Sequence, residues 1–373
     1  MVCPKCDESR NLGYRYCSGC GDALNLCPEC EEWRRKGARF CRACGNRLHE
    51  DYIPTYAKPK SAGDILRMAA TVSCVLVAIL MLIEVVAVIT RTGEVYDLID
   101  LGMGTGIILL IPHICTVATL YGTSMSIYWT FILITFLFSV FWTFRQSKPL
   151  LDRNILDDPD KAESTPLYWI SLLFGSIIVM ELIVIAIESL FGVTIDVPEG
   201  LPSDASGLAV FLYTEAGVWE EIVSRIVWIG LPMMIVAVYM KNPQPWRYLF
   251  GGFGFSKVSV ALILISTVVF AFAHMEGWGW SKVPLVMFGG IVMGYIFVRF
   301  GLFASIFYHA LTDLMSCAVT ISPVMGSISY MLILMLGLVC AIDIFRKLPD
   351  ALKSVKDLPV MDDGQDNNLF KRS

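Results

Sequence analysis

Three short polar clusters interrupt otherwise apolar stretches of this chain, and their residue types suit the hydrolysis of an amide. The first is Glu220-Glu221-Ile-Val-Ser-Arg225, the second Phe270-Ala-Phe-Ala-His274 and the third His309-Ala-Leu-Thr-Asp313. An ionisable side chain in an apolar helix is costly to bury, so each cluster is a functional candidate by default. Glu221 and Arg225 stand four apart with the carboxylate first, the better order for a helical ion pair, and that pair would neutralise the arginine. Glu220 projects about 100° away around the helix and keeps its carboxylate free for acid–base work. Phe270 and His274 share one helix face, so the ring can pack against the imidazole. His309 and Asp313 share another and can bond each other or a common partner. Each cluster alone has a plainer reading, as a packing histidine or a salt bridge that holds helices together. Two histidines and a carboxylate on three separate helices could together position a water or bind a metal.

Long apolar runs must position these groups. The 373 residues are 55% hydrophobic and only 17% charged, against about 25% charged in an average soluble domain, which points to a bilayer. A spanning helix needs about 20 apolar residues. Candidate spans cover 64–90, 101–121, 125–144, 166–191, 208–240, 257–275, 283–300, 302–321 and 324–345. Gly230 and Pro232 interrupt the fifth and predict a kink or an early end there. Four Lys/Arg fall in 145–165, three in 241–257, six in the tail from 346 onward and none in 192–207. Placing the basic segments in the cytosol satisfies the positive-inside rule, and a cytosolic N-terminus then demands an even number of spans before residue 145. The segment 101–121 holds Gly102, Gly104, Gly106, Pro112 and His113, and is expected to be re-entrant, interfacial or a broken helix. The expectation is an all-α polytopic membrane protein of about eight transmembrane helices. It places both termini in the cytosol, in a prokaryotic plasma membrane, with no cleaved signal peptide.

Eight of the 12 cysteines lie within the first 44 residues, as the pairs Cys3/Cys6, Cys17/Cys20, Cys27/Cys30 and Cys41/Cys44. The pattern C-x2-C-x10-C-x2-C repeats after 24 residues, and Pro4/Pro28, Tyr16/Phe40, Gly21/Gly45 and Leu24/Leu48 repeat with it. Two thiolate pairs per unit suit tetrahedral Zn²⁺ with bonds of about 2.3 Å, and the glycines after the second pairs suit tight turns. Units this small bury little core, so the metal must supply most of their folding free energy. Both zincs are expected to be structural, since protein fills every position. Disulfides are the competing reading and would need an oxidising compartment. The repeat resembles the double zinc ribbon of many archaeal and bacterial proteins. Arg34, Arg35, Lys36, Arg39 and Arg42 in the second unit either offset the thiolate charge or dock a cytosolic protein or lipid headgroups; nucleic acid is not the expected partner. The remaining Cys74, Cys115, Cys317 and Cys340 read as small hydrophobes.

The motifs EExxxR, FxxxH and HxxxN/D, in that order, resemble those of the CPBP family of intramembrane proteases, which includes the type II CAAX prenyl endopeptidases. The stretch GGIVMGYIFVRFGLFASIFYHALTD is similar to the family's last conserved region. The resemblance covers roughly residues 165–345. The layout it suggests is a double ribbon at 1–49, a linker at 50–63, N-terminal membrane helices at 64–164, the protease core at 165–345 and a cytosolic tail at 346–373. It implies that Glu220 and His274 activate a water for attack on a scissile amide of a membrane-associated protein or peptide. His309 and Asp313 would lie where the family stabilises the oxyanion, with Glu221, Arg225 and Phe270 in support. The CAAX-cleaving members carry Asn at the position of Asp313, and an ionised carboxylate would oppose a developing oxyanion, which puts the role of Asp313 in question. One glutamate and two histidines could also hold zinc with an open position for water. H-E-x-x-H is absent, however, and the ligands would come from three distant helices, so the expected route is glutamate-dependent without an active-site metal. The competing functional class is a non-catalytic membrane scaffold or sensor that recruits a partner through its ribbons. A transporter ranks lower, because no inverted repeat of broken helices is evident.

Overall fold

In the N-terminal region the computed structural model describes residues 5, 8, 9, 16–21, 27, 29, 32, 33, 36, 38, 40–43 and 45. It then describes 62–373 except 112, 153–154, 156–158, 194–206, 322, 362–368 and 370–373. The chain divides into two units, Met1–Ser61 and Ala62–Ser373.

In the first unit Cys17, Cys20, Cys27 and Cys41 are described, and Cys3, Cys6, Cys30 and Cys44 lie outside the described residues. Cys27 and Cys41 hold their sulfurs 3.9 Å apart. That matches the edge of about 3.8 Å of a tetrahedron with 2.3 Å metal–sulfur bonds, and is far from the roughly 2.05 Å of a disulfide. The N–H of Gly21 donates to the Cys17 carbonyl at 2.9 Å and that of Gly45 to the Cys41 carbonyl at 2.8 Å. Both glycines have positive φ, 76° and 74°, so the two repeats turn alike beneath their thiolates, in a conformation only glycine adopts without strain. Arg42 and Lys36 each lie 5.0 Å from the centre of the Trp33 ring, and Lys36 also pairs with Glu32.

The second unit is a helical bundle. Its elements are α1 (Ala62–Asp100), β1 (Thr105–Ile111), β2 (His113–Leu120), α2 (Gly122–Gln146), α3 (Pro159–Glu163), α4 (Pro166–Leu190) and α5 (Gly207–Glu221). A π-helical stretch, Ile222–Gly230, leads into α6 (Leu231–Tyr239), followed by α7 (Lys257–Trp278), α8 (Lys282–Phe300), α9 (Leu302–Ile321) and α10 (Pro323–Asp357). Among the described residues seven helices are long and apolar enough to cross a membrane, and Leu302–Met315 in α9 is a shorter apolar one. The architecture is that of an all-α polytopic membrane protein with one small β element.

That element corrects the expectation of a broken helix at 101–121, while agreeing that the segment is not a regular helical span. The segment is an antiparallel hairpin, with Ile111 paired to His113 at one end and Thr105 to Leu120 at the other. Three glycines and Pro112 rule out a helix, and β-branched Ile107, Ile108, Thr116, Val117 and Thr119 suit strands. Two spanning helices, α1 and α2, are then left before residue 145.

Capping residues place the helix starts. Thr165 accepts from the Tyr168 N–H ahead of Pro166 at the first turn of α4, and Ser256 forms a reciprocal cap with Ser259 at the start of α7. The first half of α4, Pro166–Val179, is buried on all sides, as expected of a helix apolar all round. At one end of the bundle Glu163 gathers Arg67 at 2.6 Å and Lys347 at 2.9 Å, while Lys347 also pairs with buried Asp343 at 2.7 Å. Cations from α1 and α10 thus close on one carboxylate between α3 and α4. The expected polar tail begins inside α10, and past it the N–H groups of Lys257 and Val258 donate to the carbonyls of Pro359 and Val360 at 2.9 and 3.2 Å.

The interruption at Gly230 and Pro232 appears as the widened π-helical stretch, with helical conformation continuing on both sides. Pro232 supplies no N–H and crowds the carbonyl four residues back, and the wider turn upstream relieves that crowding. Gly230 serves packing: a Cβ there would fall 2.2 Å from the Leu249 carbonyl oxygen.

Candidate active site

Glu220 and Glu221 occupy the last turn of α5, where the helix begins to widen. α5 packs on α9 at Gly217, whose missing side chain allows contact with the backbone of Ala310; a Cβ at 217 would lie 2.4 Å from the Ala310 Cα. This close approach sets the two glutamates against the His309 face of α9.

Glu221 is fully buried and organises the interior of the site. Its carboxylate receives Arg225 Nε at 3.3 Å, His309 Nδ1 at 3.1 Å and the Ser305 hydroxyl. Arg225 is fully buried as well, donates through Nη1 to Ser266 Oγ at 2.8 Å, and stacks its guanidinium 5.2 Å from the Phe270 ring centre. Spacing alone assigned Glu221 to Arg225. That contact is present, and the carboxylate additionally orients His309. Ser305 and Ser266 escaped the sequence reading, although Ser305, His309 and Asp313 share one face at spacings of four.

Glu220 faces the other way. Its Oε2 lies 3.6 Å from His274 Nε2 and 3.9 Å from His309 Nε2. Glu220 and His274 side chains are 19% and 18% exposed, against 6% for His309 and none for Glu221. The first pair is therefore reachable by water and substrate, His309 lies deeper, and Glu221 is sealed behind it. Helix counting puts His274 near one end of its helix and Glu220 nearer mid-span, yet the two converge here.

His274 is held by its own helix. Nδ1 lies 2.9 Å from the Phe270 carbonyl oxygen; a carbonyl only accepts, so Nδ1 carries a hydrogen, and in the tautomer with that hydrogen alone the lone pair at Nε2 faces Glu220. The Phe270 ring also packs edge-on to both imidazoles, with centroids 4.6 Å from His274 and 5.8 Å from His309. Asp313 places Oδ2 3.4 Å from His309 Nε2. The structure thus brings all four expected catalytic residues, and the three expected to support them, into one cluster on α5, the π stretch, α7 and α9.

The separations from Glu220 to the two histidines exceed a direct hydrogen bond. They fit a water donating one hydrogen to Glu220 and the other to His274 Nε2, which leaves its oxygen lone pairs free. Among the described residues no three His, Cys, Asp or Glu side chains are arranged as a metal site.

Residues 202–315 match the family described as type II CAAX prenyl endopeptidase Rce1-like, and residues 3–49 match the double zinc ribbon. Comparison with curated proteins and with solved structures returns no match. The first match runs into α9 as far as Met315 and includes Glu220, His274, His309 and Asp313. The seven long apolar helices and the two matches together indicate an integral membrane protein with an Rce1-like segment in its helical unit and a double zinc ribbon in its N-terminal unit.

Proposed function

We propose that this protein is an intramembrane endopeptidase that hydrolyses a peptide bond of a membrane-associated protein or peptide. The observation that carries the reading is one carboxylate oxygen, Glu220 Oε2, facing the Nε2 atoms of His274 and His309 at 3.6 and 3.9 Å. Glu220, assisted by His274, takes a proton from water as the oxygen attacks the amide carbon. The C–O bond forms, the C–N bond breaks, and the proton passes on to the leaving amine. His309, its Nδ1 hydrogen bonded to Glu221, donates from Nε2 to the carbonyl oxygen in its doubly protonated form. Asp313 lies 3.4 Å from the same Nε2 and must be protonated when the oxyanion forms, since an ionised carboxylate there would oppose the charge.

The fold supports eight crossings with both termini on the cytosolic side, since the hairpin leaves two spans before the basic segment 145–165. The N-terminal unit holds two structural zinc ions, one on Cys3, Cys6, Cys17 and Cys20, the other on Cys27, Cys30, Cys41 and Cys44. They supply folding free energy and take no part in hydrolysis. The test is incubation of the reconstituted protein with a farnesylated peptide ending in a CAAX sequence and with a single-span peptide, with products identified by mass. A defined cut in either supports the reading. Folded protein that cuts neither contradicts it.

A further inference from the structure

Charge is divided unevenly between the two ends of the helical unit. At one end Glu163 receives Arg67 and Lys347, and Arg299 Nη2 donates to its carbonyl at 2.9 Å. Arg145, in the last turn of α2, belongs to the same end, because Ser147 Oγ accepts from the Leu167 N–H at 2.9 Å. The opposite end is marked by Gly207 at the start of α5, which packs on Glu94 of α1. There Arg91 is matched by Glu94, and Asp97 and Asp100 follow. The positive-inside rule puts the cationic end in the cytosol, in keeping with cytosolic termini.

Helix register gives the depth of the catalytic cluster. α7 and α8 run antiparallel, with Gly294 against Ile263 and Gly290 against Thr267, so His274, two turns on, is level with Val283. Ser305 donates to the Met293 carbonyl at 3.1 Å, so His309, one turn on, is level with Gly289. At 1.5 Å per residue along α8, these levels lie about 15 Å (His309) and about 24 Å (His274) from Arg299. A hydrocarbon core is about 30 Å thick. The cluster therefore reaches from mid-span into the half remote from the cationic end.

It is also closed on one side and open on the other. Arg225 lies one turn beyond Glu221 toward the cationic end, and with Ser266 and Ser305 it fills that side, all three at 0% exposure. On the other side α7 runs one turn past His274 to Trp278 and turns at Gly279, whose φ is 73°. Trp280 is 68% exposed and stands edge-on to Phe272 with centroids 5.8 Å apart, while Lys282 Nζ lies 4.5 Å from the Trp278 ring centre. Tryptophans with a lysine beside them suit a membrane–water interface. Water therefore meets the partly exposed Glu220 and His274 from this end.

We propose that the catalytic cluster opens on the extracytosolic side, so that its substrate is a membrane-spanning segment cut in the outer half of the bilayer and not a prenylated tail presented from the cytosol. The proposal rests on the endopeptidase reading for its substrate, and its first test is independent of catalysis. Full-length wild type, Trp280→Cys and Lys356→Cys are expressed in a bacterium, and sealed right-side-out and inverted membrane vesicles are prepared from each. A membrane-impermeant polyethylene-glycol maleimide is added, and tags beyond those of the wild type are counted by gel shift. Trp280→Cys should be tagged in right-side-out vesicles and Lys356→Cys, in the last turn of α10, in inverted ones, each at least fivefold above the opposite preparation. In the second test the single-span peptide is co-expressed, and the farnesylated CAAX peptide is added to inverted vesicles, whose outer face is cytosolic. The single-span peptide should be cut in its extracytosolic half, located by mass, and the farnesylated peptide should stay intact. Tagging of Trp280→Cys in inverted vesicles, a cut in the cytosolic half, or cleavage of the farnesylated peptide would overturn the proposal. Outer tagging with neither peptide cut leaves the side of the opening and removes the protease reading; cleavage with inner tagging does the reverse.

Discussion

Gly217→Ala tests how the site is assembled. A Cβ at 217 would stand 2.4 Å from the Ala310 Cα and 2.6 Å from its Cβ and N. Ordinary carbon contacts need about 3.5 Å, so α5 and α9 must separate by about 1 Å, and no rotamer relieves a clash with backbone. The same shift stretches the 3.1 Å bond between His309 Nδ1 and Glu221 to about 4 Å, which is no longer a hydrogen bond. Overpacking of this kind costs about 1–3 kcal/mol, and a buried carboxylate losing a partner costs a comparable amount. Both describe one displacement, so a loss of about 2–3 kcal/mol is expected rather than the sum. Misplacing a catalytic group by about 1 Å lowers turnover by about 100-fold. Thermal unfolding in nanodiscs, followed by tryptophan fluorescence, reads the first effect and peptide cleavage the second. Adding Ala310→Gly removes only the Cβ contact and leaves the 2.4 Å and 2.6 Å backbone contacts, so it should not restore either. Wild-type stability and rate in Gly217→Ala, or full rescue by the second change, would refute this account of the α5–α9 crossing.

Arg225→Met strands the buried Glu221 charge and should cost about 3–5 kcal/mol in chemical unfolding, while Arg225→Met with Glu221→Gln recovers most of it; an additive double variant would contradict the pairing. Elemental analysis of purified protein should find two zinc ions per chain and one in Cys41→Ser. His274→Ala should keep both, whereas loss of one would place a metal in the active site.

Much of this site was legible because its chemistry is local on each helix. Spacings of four set Glu221 beside Arg225 and His309 beside Asp313, and the cysteine repeat announced both zinc units. Three features were not legible, each for a physical reason. Arg225 already accounted for Glu221, so nothing local called for the bond to His309 on a helix 88 residues away. Glycines and proline argued against a regular span at 101–121 and left a re-entrant, interfacial or broken helix expected, because the strands are fastened by Trp219 and Trp228, more than 100 residues further on. Gly230 read as a helix breaker because only the folded chain brings the Leu249 carbonyl against it.

The central claim is that Glu220 and His274 activate water, and the most direct measurement is product release by reconstituted wild type, Glu220→Gln and His274→Ala on one peptide that the wild type cuts. Loss of acid–base catalysis should slow both variants by about 100- to 10,000-fold while their unfolding temperatures stay with the wild type. Equal product release from all three proteins would contradict the claim.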